Sequence, residues 1–475
     1  MGKPVTLFKT RASGALADKP LQSALAELPT GLAANRARAK AGLPEFETLR
    51  ETARAIKDHT LSHLDHYLVA FEESATKAGS KVHWASTPQD ARTAILAICT
   101  TANARLITKG KSMVSEEIGL NHALEKAGFK VVETDLGEYL IQLKDEAPSH
   151  IIAPAIHLTV DEVERRFREA HTHLDPDRKF AEPADLVAEA RQVLRQKFLS
   201  ADVGITGANF LIAETGSSII VTNEGNGDLT QLLPKVHIVI AAIDKILPTL
   251  NDTATLLRLL SRSATGQEAT SYVTFTTGPR RKGESEGPAE VHIVILDNGR
   301  SELLAGEMRP VLRCIRCGAC MNHCPVYGAI GGHAYGAVYP GPIGAALMPG
   351  LSSVPETAHL AGASTFCGAC SDVCPVKIPL TDMMRHWREA EFAEDQSSWV
   401  QRKALQAWAA LAKRPRAYHV ANRFGAAILG ALGRRRGAFR HLPFARGWTK
   451  HRDFAAPEGR TFQQLWREHK QGVPR

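Results

Sequence analysis

The residues of this chain best suited to chemistry are its cysteines, and seven of the eight lie between Cys314 and Cys374. The run "CIRCGACMNHCP", Cys314 to Pro325, holds four of them, separated by two, two and three residues, with proline directly after the last. The run "STFCGACSDVCP", Ser364 to Pro375, holds three and ends the same way. Soft thiolates suit iron–sulfur clusters. In two-cluster ferredoxins the last cysteine of such a run, the one before proline, reaches the other cluster. That crossing assigns Cys314, Cys317, Cys320 and Cys374 to a first cluster. It leaves Cys324, Cys367 and Cys370 for a second, one thiolate short. Zinc sites pair two short C-x₂-C knuckles into one tetrahedron, which fits the triple spacing and the Cys-Pro endings poorly.

Counting back from Cys374 puts the missing ligand at Ser364. Three readings stay open. The second cluster is a four-iron cubane whose fourth position takes the Ser364 oxygen, water or another side chain. It is a three-iron cluster, which needs only three thiolates. Or Cys99 completes it from a distance, although Cys99 sits in the apolar helical stretch "ARTAILAICTTA" and reads as a small buried hydrophobe. The incomplete second cluster is expected to be the more labile and oxygen-sensitive. Cluster potentials span roughly −700 to +450 mV, so the motif implies a one-electron relay without fixing its direction.

A chain of 475 residues is too long for one compact core. The pattern divides it into an N-terminal helical segment at 1–75, an α/β domain at 76–300, a cysteine region at 301–395 and a basic C-terminal extension at 396–475. In the α/β part, short β-branched runs alternate with helical patterns, which argues for a largely parallel sheet. "KVHWAS", "ARLITKG", "KVVETD", "HIIAPA", "KVHIVIAAIDKI", "SYVTFTTGP" and "EVHIVILD" read as strands. Thr87 with Pro88, and Thr159 with Glu162, mark helix starts. "SEEIGLNHALEKAG" reads as one helix ending near Gly128. The Gly- and Pro-rich segment from Val326 to Phe366 is expected to be a compact irregular loop, with a helix starting near Thr381 after the second motif.

Within the α/β part, "ETGSSIIVTNEGNGD" ends a strand in a polar loop, able to bring backbone N–H groups and side chains to a ligand. Glu214, Asn223, Glu224 and Asn226 are the candidate substrate-binding residues there; a plain polar turn is the competing reading. Neither a G-x-G-x-x-G fingerprint nor a Walker motif is present, so no nucleotide or Rossmann flavin site is expected. The catalytic residues are not assigned.

The segments "KSMVSEEIGLNHALEKAGFKVVETDLGEYLIQL", "PSHIIAPAIHLT", "GITGANFLIAETGSSIIVTNEGNGDL" and "CIRCGACMNHCPVYGAIGGHAYGAVYPGPIGA" together resemble the lactate utilisation protein B family. That family supplies the iron–sulfur subunit of a three-protein bacterial L-lactate oxidation system, and the resemblance covers about 60 to 385. It implies an α/β LUD domain related in fold to ribose-5-phosphate isomerase and CoA transferases, followed by an α-helical two-cluster ferredoxin-like domain. It also implies two iron–sulfur clusters, expected to be [4Fe-4S] in kind with the second [3Fe-4S] or completed by a non-cysteine ligand as the alternative, two partner subunits and an electron-transfer role. On this reading the chain is an electron-transfer component of an L-lactate dehydrogenase complex rather than a stand-alone enzyme. The alternative is that the chain oxidises lactate itself, with lactate bound near Glu214, Asn223 and Asn226. A regulatory iron–sulfur sensor is a third reading, with no DNA-binding motif to support it.

The net charge is +8, but residues 401–475 hold 17 Lys and Arg against three acidic residues, which leaves the rest of the chain acidic at −6. The basic tail mixes these charges with Trp408, Tyr418, Phe424, Phe439, Phe444, Trp448 and Trp466. It is expected to be either a solvated extension or a docking segment for an acidic partner, a quinone-bearing site or an anionic membrane surface. Its stretch "RPRAYHVANRFGAAILGALGRRRGAFRHL" reads as a basic amphipathic helix broken by glycines. Nucleic acid is not expected as a partner. No apolar run approaches the roughly 18 residues of a membrane span, and the stretch "MGKPVTLFKTRASG" has no apolar h-region, so no secretory signal is expected. With cysteines in metal-ligand rather than disulfide spacing, the expected location is cytoplasmic, or peripheral at the inner membrane face. Gly2 and Thr6 fit a loose N-myristoylation pattern that often matches by chance.

Overall fold

The run Val236–Ala242 is buried along its whole length. A strand buried on both faces belongs in the middle of a parallel sheet, and that is where the computed structural model puts it. The structure describes residues 4–442, 449 and 452–471. Gly2, the Thr6 side chain, Phe444 and Trp448 lie outside what is described.

In chain order the strands are β1 (Lys81–Ala85), β2 (Leu106–Lys109), β3 (Lys130–Glu133), β4 (Val203–Gly207), β5 (Phe210–Ile212), β6 (Ser217–Thr222), β7 (Val236–Ala242), β8 (Ile246–Leu247), β9 (Tyr272–Thr276) and β10 (Glu290–Leu296). Six of them form a sheet ordered β1-β10-β7-β4-β2-β3, parallel throughout. Helices cover it, as buried parallel sheets require. The helix Pro88–Thr101 opens on a capping box between Thr87 and Asp90, and Val160–Ala170 on one between Thr159 and Glu162. A smaller sheet, β8-β5-β6-β9, stands beside the first. The α/β domain is thus a parallel-sheet domain, and a helical region carrying the cysteines follows it.

Three local expectations change. "HIIAPA" is not a strand: residues 150–155 are irregular. His150 Nδ1 accepts from the N–H groups of Ile152 and Ala153, closing the segment on itself, while His150 Nε2 lies 2.9 Å from Asn322 Oδ1 and the Ser149 carbonyl accepts from Tyr327 Oη at 2.7 Å, so Ser149 and His150 bind the cysteine region instead of a ladder. "SEEIGLNHALEKAG" is two helices, Met113–Glu117 and Leu120–Lys126, parted at Gly119, whose φ of +61 is left-handed. The Val326–Phe366 segment contains the buried helix Gly341–Leu351. Its glycine is needed there: a Cβ on Gly344 would lie 1.6 Å from the Tyr339 carbonyl oxygen.

The N-terminal helices do not pack alone. Leu25, Leu28, Leu43, Phe46, Ala53 and Leu61 share one core with Cys314, Cys317, Cys370, Cys374, Tyr327 and Trp387. Met1–Glu391 forms one unit and Phe392–Arg475 another. Within the second unit, Pro415–Gly433 is a continuous helix rather than a glycine-broken one. Gly430 permits close approach there: a Cβ would stand 2.6 Å from Gly459 Cα. Among the described residues no helix is long and apolar enough to cross a membrane.

Candidate metal centre

Two local turns repeat each other around the cysteines. Arg316 and Phe366, each just before the "CGAC" of its motif, adopt left-handed φ values of +59 and +55. Gly318 and Gly368 follow at +72 and +85 and cap the short helices Ala319–Asn322 and Ala369–Val373. This curl turns the chain so that three side chains point inward from one loop. The N–H of Arg316 donates to Cys314 Sγ at 3.4 Å, and the N–H of Phe366 donates to Ser364 Oγ at 3.1 Å. Ser364 therefore holds the place in the second turn that Cys314 holds in the first.

The seven thiols fall into two cavities. Cys314, Cys317, Cys320 and Cys374 line one, among Ile151, Ile315, Ile343, Val376, Ile378 and Leu380. Cys324, Cys367 and Cys370 line the other, together with Ser364 and Thr365. Each motif thus sends its last cysteine to the other motif's cavity. The N–H of Tyr327 donates to Cys324 Sγ at 3.4 Å, and that of Ile378 to Cys374 Sγ at 3.3 Å. Burial pushes the thiols of Cys317 up to about 12 and of Cys370 and Cys374 to about 11, with neighbouring cysteines adding to the rise. Cys367 differs: it is exposed, and the Ala369 N–H holds its thiol below the ordinary value. Cys99 lies apart, fully buried in the core of the α/β domain.

Cations surround the first cavity. Arg36 Nη2 donates to the Val373 carbonyl at 2.8 Å, and Arg50 Nη2 to the carbonyls of Asp372 and Cys374 at 2.6 and 2.7 Å. Lys57, Lys245, Arg300 and Arg316 are buried around Asp244. Burial pulls both Lys57 and Lys245 down to about 8, with Cys314 acting on each in the opposite sense. Arg300 also bonds Glu117, so four buried cations meet two carboxylates. An uncompensated buried cation is costly. Crowded thiols facing surplus positive charge fit an anionic thiolate-held iron–sulfur cluster, whose iron relieves the thiolate repulsion and whose net charge answers the cations. The second cavity has Arg388 nearby, over the Phe366 ring at 4.2 Å.

A third cavity, about 380 Å³, opens at the carboxyl ends of β2, β4 and β6. Asn223, Glu224 and Asn226 line it; Glu214 does not. Glu214 instead accepts from the Leu250 N–H at 3.0 Å, at the start of the helix Leu250–Ala264. Asn223 is held by Gln267 and Ser271, and Glu224 Oε2 accepts from the Asn223 N–H at 3.2 Å. Lys111, Lys245 and Arg316 also line this cavity, and sequence reasoning missed all three. A signal existed for one: Lys245 follows the apolar run of β7 in "AAIDKI". The Arg36 and Arg50 contacts had none, since they join residues more than three hundred positions apart.

Comparison with known proteins finds three matches along the chain. The chain matches the LUD domain over residues 68–296, the 4Fe-4S dicluster domain over 310–378, and Lactate utilisation protein B, C-terminal, over 387–471. It is 40% identical over 466 residues to Lactate utilization protein B of Bacillus cytotoxicus, covering 98% of each chain. It is 41% identical over 466 residues to the Uncharacterized electron transport protein YkgF of Escherichia coli, covering 98% of this chain and 97% of that one. A crystal structure of a DUF162 family protein from Deinococcus radiodurans aligns with 49% of this chain and 98% of its own, at 16% identity and a TM-score of 0.26. The cysteine region is a 4Fe-4S dicluster domain, and its cofactors are iron–sulfur clusters.

Proposed function

The chain belongs to the lactate utilisation protein B family, and from that premise we propose that it is the iron–sulfur electron-transfer subunit of an L-lactate oxidation system with two partner subunits. Cys314, Cys317, Cys320 and Cys374 hold the first cluster. Cys324, Cys367 and Cys370 hold the second, with Ser364 at its fourth position. When bound, the clusters supply one-electron redox chemistry. The chain's own residues do the rest. Arg36 and Arg50 fix the carbonyls beside Cys374, Arg316 sets its cation beside Cys314, and the exposed Cys367 opens the second site to a partner. The basic tail, with its exposed Trp408 and Phe424, is the surface we assign to partner or membrane-surface docking, including a quinone-bearing acceptor.

The observation that carries this reading is the division of seven thiols between two cavities across the motif boundary. It is tested with anaerobically purified protein. Cys374→Ala should abolish the first cluster's EPR signal and leave the second; Cys324→Ala, from the first motif, should abolish the second. Each should keep about half the iron. Loss of the same cluster in Cys374→Ala and Cys367→Ala would refute the crossing. L-lactate should bleach the clusters only when the partner subunits are added. Bleaching of the chain alone would make it the lactate-oxidising subunit itself.

A further inference from the structure

The cavity of the α/β domain and the first cysteine cavity share two wall residues, Ile151 and Arg316. The shared arginine is where the two sites meet. Arg316 is only 9% exposed, its guanidinium is 3.9 Å from Asp244 and lies over the Tyr339 ring at 4.7 Å, and its Nη1 has no hydrogen-bond partner. Lys245, 5% exposed, lines the same cavity. Two unused neutral groups line it too: Asn226 Oδ1, on a residue 8% exposed, and Thr222 Oγ1, both buried without a partner. Native structures rarely leave buried polar atoms unpaired. Here three such atoms come from three separate elements, the end of β6, the helix after it and the first cysteine loop, and Lys245 joins them from the turn after β7.

We propose that this cavity binds a small 2-hydroxycarboxylate, its carboxylate on Lys245 and Arg316 and its hydroxyl on Asn226 and Thr222, and that Arg316 couples its occupancy to the first cluster. Cations supply what a carboxylate needs. The Asn226 amide oxygen supplies what a hydroxyl needs, which is an acceptor. The acids on the cavity wall are already engaged: Asp135 accepts from the Glu138 N–H, and Glu224 from the Asn223 N–H. Lys111 donates to the Ile152 carbonyl at 2.5 Å, and its charge faces the carboxylates of Asp135, Glu138 and Glu224. The site lies at the carboxyl ends of a parallel sheet, where open α/β sheets take their ligands. An anion added beside Arg316 disfavours the extra electron on the neighbouring cluster, and by reciprocity the reduced cluster weakens the anion.

This deepens the lactate reading of the α/β domain and rests on it for the choice of probe, but it requires neither partner subunits nor turnover. The test is therefore separable from that of the relay. The cluster-loaded full chain is titrated anaerobically with L-lactate, with propionate, which lacks the hydroxyl, and with inorganic phosphate. Lactate should bind at least tenfold tighter than either. Lys245→Gln should weaken lactate and propionate alike by at least tenfold. Thr222→Val, whose hydroxyl has no bond to lose, should erase most of the preference for lactate while leaving visible absorbance and iron content unchanged. Saturating lactate should lower the first cluster's midpoint potential. A tenfold preference for the oxidised protein corresponds to about 59 mV for one electron. Absent binding, equal affinity for propionate, tighter phosphate binding, or a Thr222→Val protein that still discriminates would each overturn the site. Binding with an unmoved potential would overturn the coupling through Arg316. Binding without any cluster bleaching would leave the relay reading untouched.

Discussion

Arg300 offers a sharp test of how the α/β domain is tied to the first cysteine loop. Its side chain is fully buried. Nε donates to Asp244 Oδ1 at 3.0 Å, Nη1 to Glu117 Oε1 at 2.9 Å and to the Asp297 carbonyl at 2.9 Å, and Nη2 to Glu117 Oε2 at 2.7 Å. Both carboxylates are buried as well, with side chains 4% and 1% exposed. Glu117 in turn accepts from Tyr339 Oη at 2.8 Å, and Tyr339 carries Arg316 on its ring. Arg300→Met keeps the bulk and removes the charge. Removing one partner of a buried pair costs about 3–5 kcal/mol, because the survivor stays buried. The lower end is expected here, since Glu117 retains Asn298 and Tyr339 and Asp244 retains Arg316 nearby. Against a total of about 5–15 kcal/mol, that is a large fraction. Urea unfolding of cluster-loaded protein, followed by far-UV circular dichroism, should show a lower midpoint with an unchanged slope. Adding Glu117→Gln to Arg300→Met removes one stranded charge and should restore part of the loss. A loss below about 1 kcal/mol for Arg300→Met, or no recovery in the double variant, would refute the view that these carboxylates depend on Arg300.

Two further outcomes follow from buried groups of the α/β domain. His237, fully buried on β7 with Nε2 2.8 Å from Thr206 Oγ1, has its pKa pulled down to about 3 by burial. Below about pH 6.5 the unfolded chain takes up a proton that the folded chain refuses, so stability falls with pH by about 2–3 kcal/mol between 6.5 and 4.5 from this group; His237→Gln should flatten the measured pH dependence by that amount, and an unchanged slope would contradict it. Cys99, fully buried with its thiol pushed up to about 12, should resist iodoacetamide in the native protein and react only after unfolding, as peptide mass mapping would read.

How much of this was legible in the sequence depends on the range of the interaction. The helix starts at Thr87 and Thr159 were readable because their signals are local, Pro88 directly after Thr87 and Glu162 three residues after Thr159. The parallel sheet was readable because β7 and β10 are apolar runs with no polar face. "HIIAPA" carried the same local signal and failed, because Ser149 and His150 bind the distant cysteine region instead of a neighbouring strand. Of the candidate residues, Asn223, Glu224 and Asn226 line the cavity, whereas Glu214, singled out for its place beside the strand, accepts from the Leu250 N–H outside it. Arg316 and the arginines of the N-terminal helices escaped notice because their partners are set by tertiary packing, which no periodicity records, while Lys245 had only its place after the β7 run to mark it.

Arg316 shows where local and distant information part. The turn before each "CGAC" demands a left-handed residue, and a side chain there costs about 1–3 kcal/mol of strain. Both motifs accept that cost, one with Arg316 and one with Phe366, at nearly equal φ. The shared conformation belongs to the ligand loop itself and repeats with the cysteine spacing. The side chains then diverge. Phe366 lies under Arg388, while Arg316 reaches past Cys314 into the wall of the α/β cavity. Glycine would relieve the strain at either position. At 316 it would also remove a cation that lines both cavities, so the backbone strain at this position comes from the ligand loop and the contact with the α/β cavity from the arginine side chain.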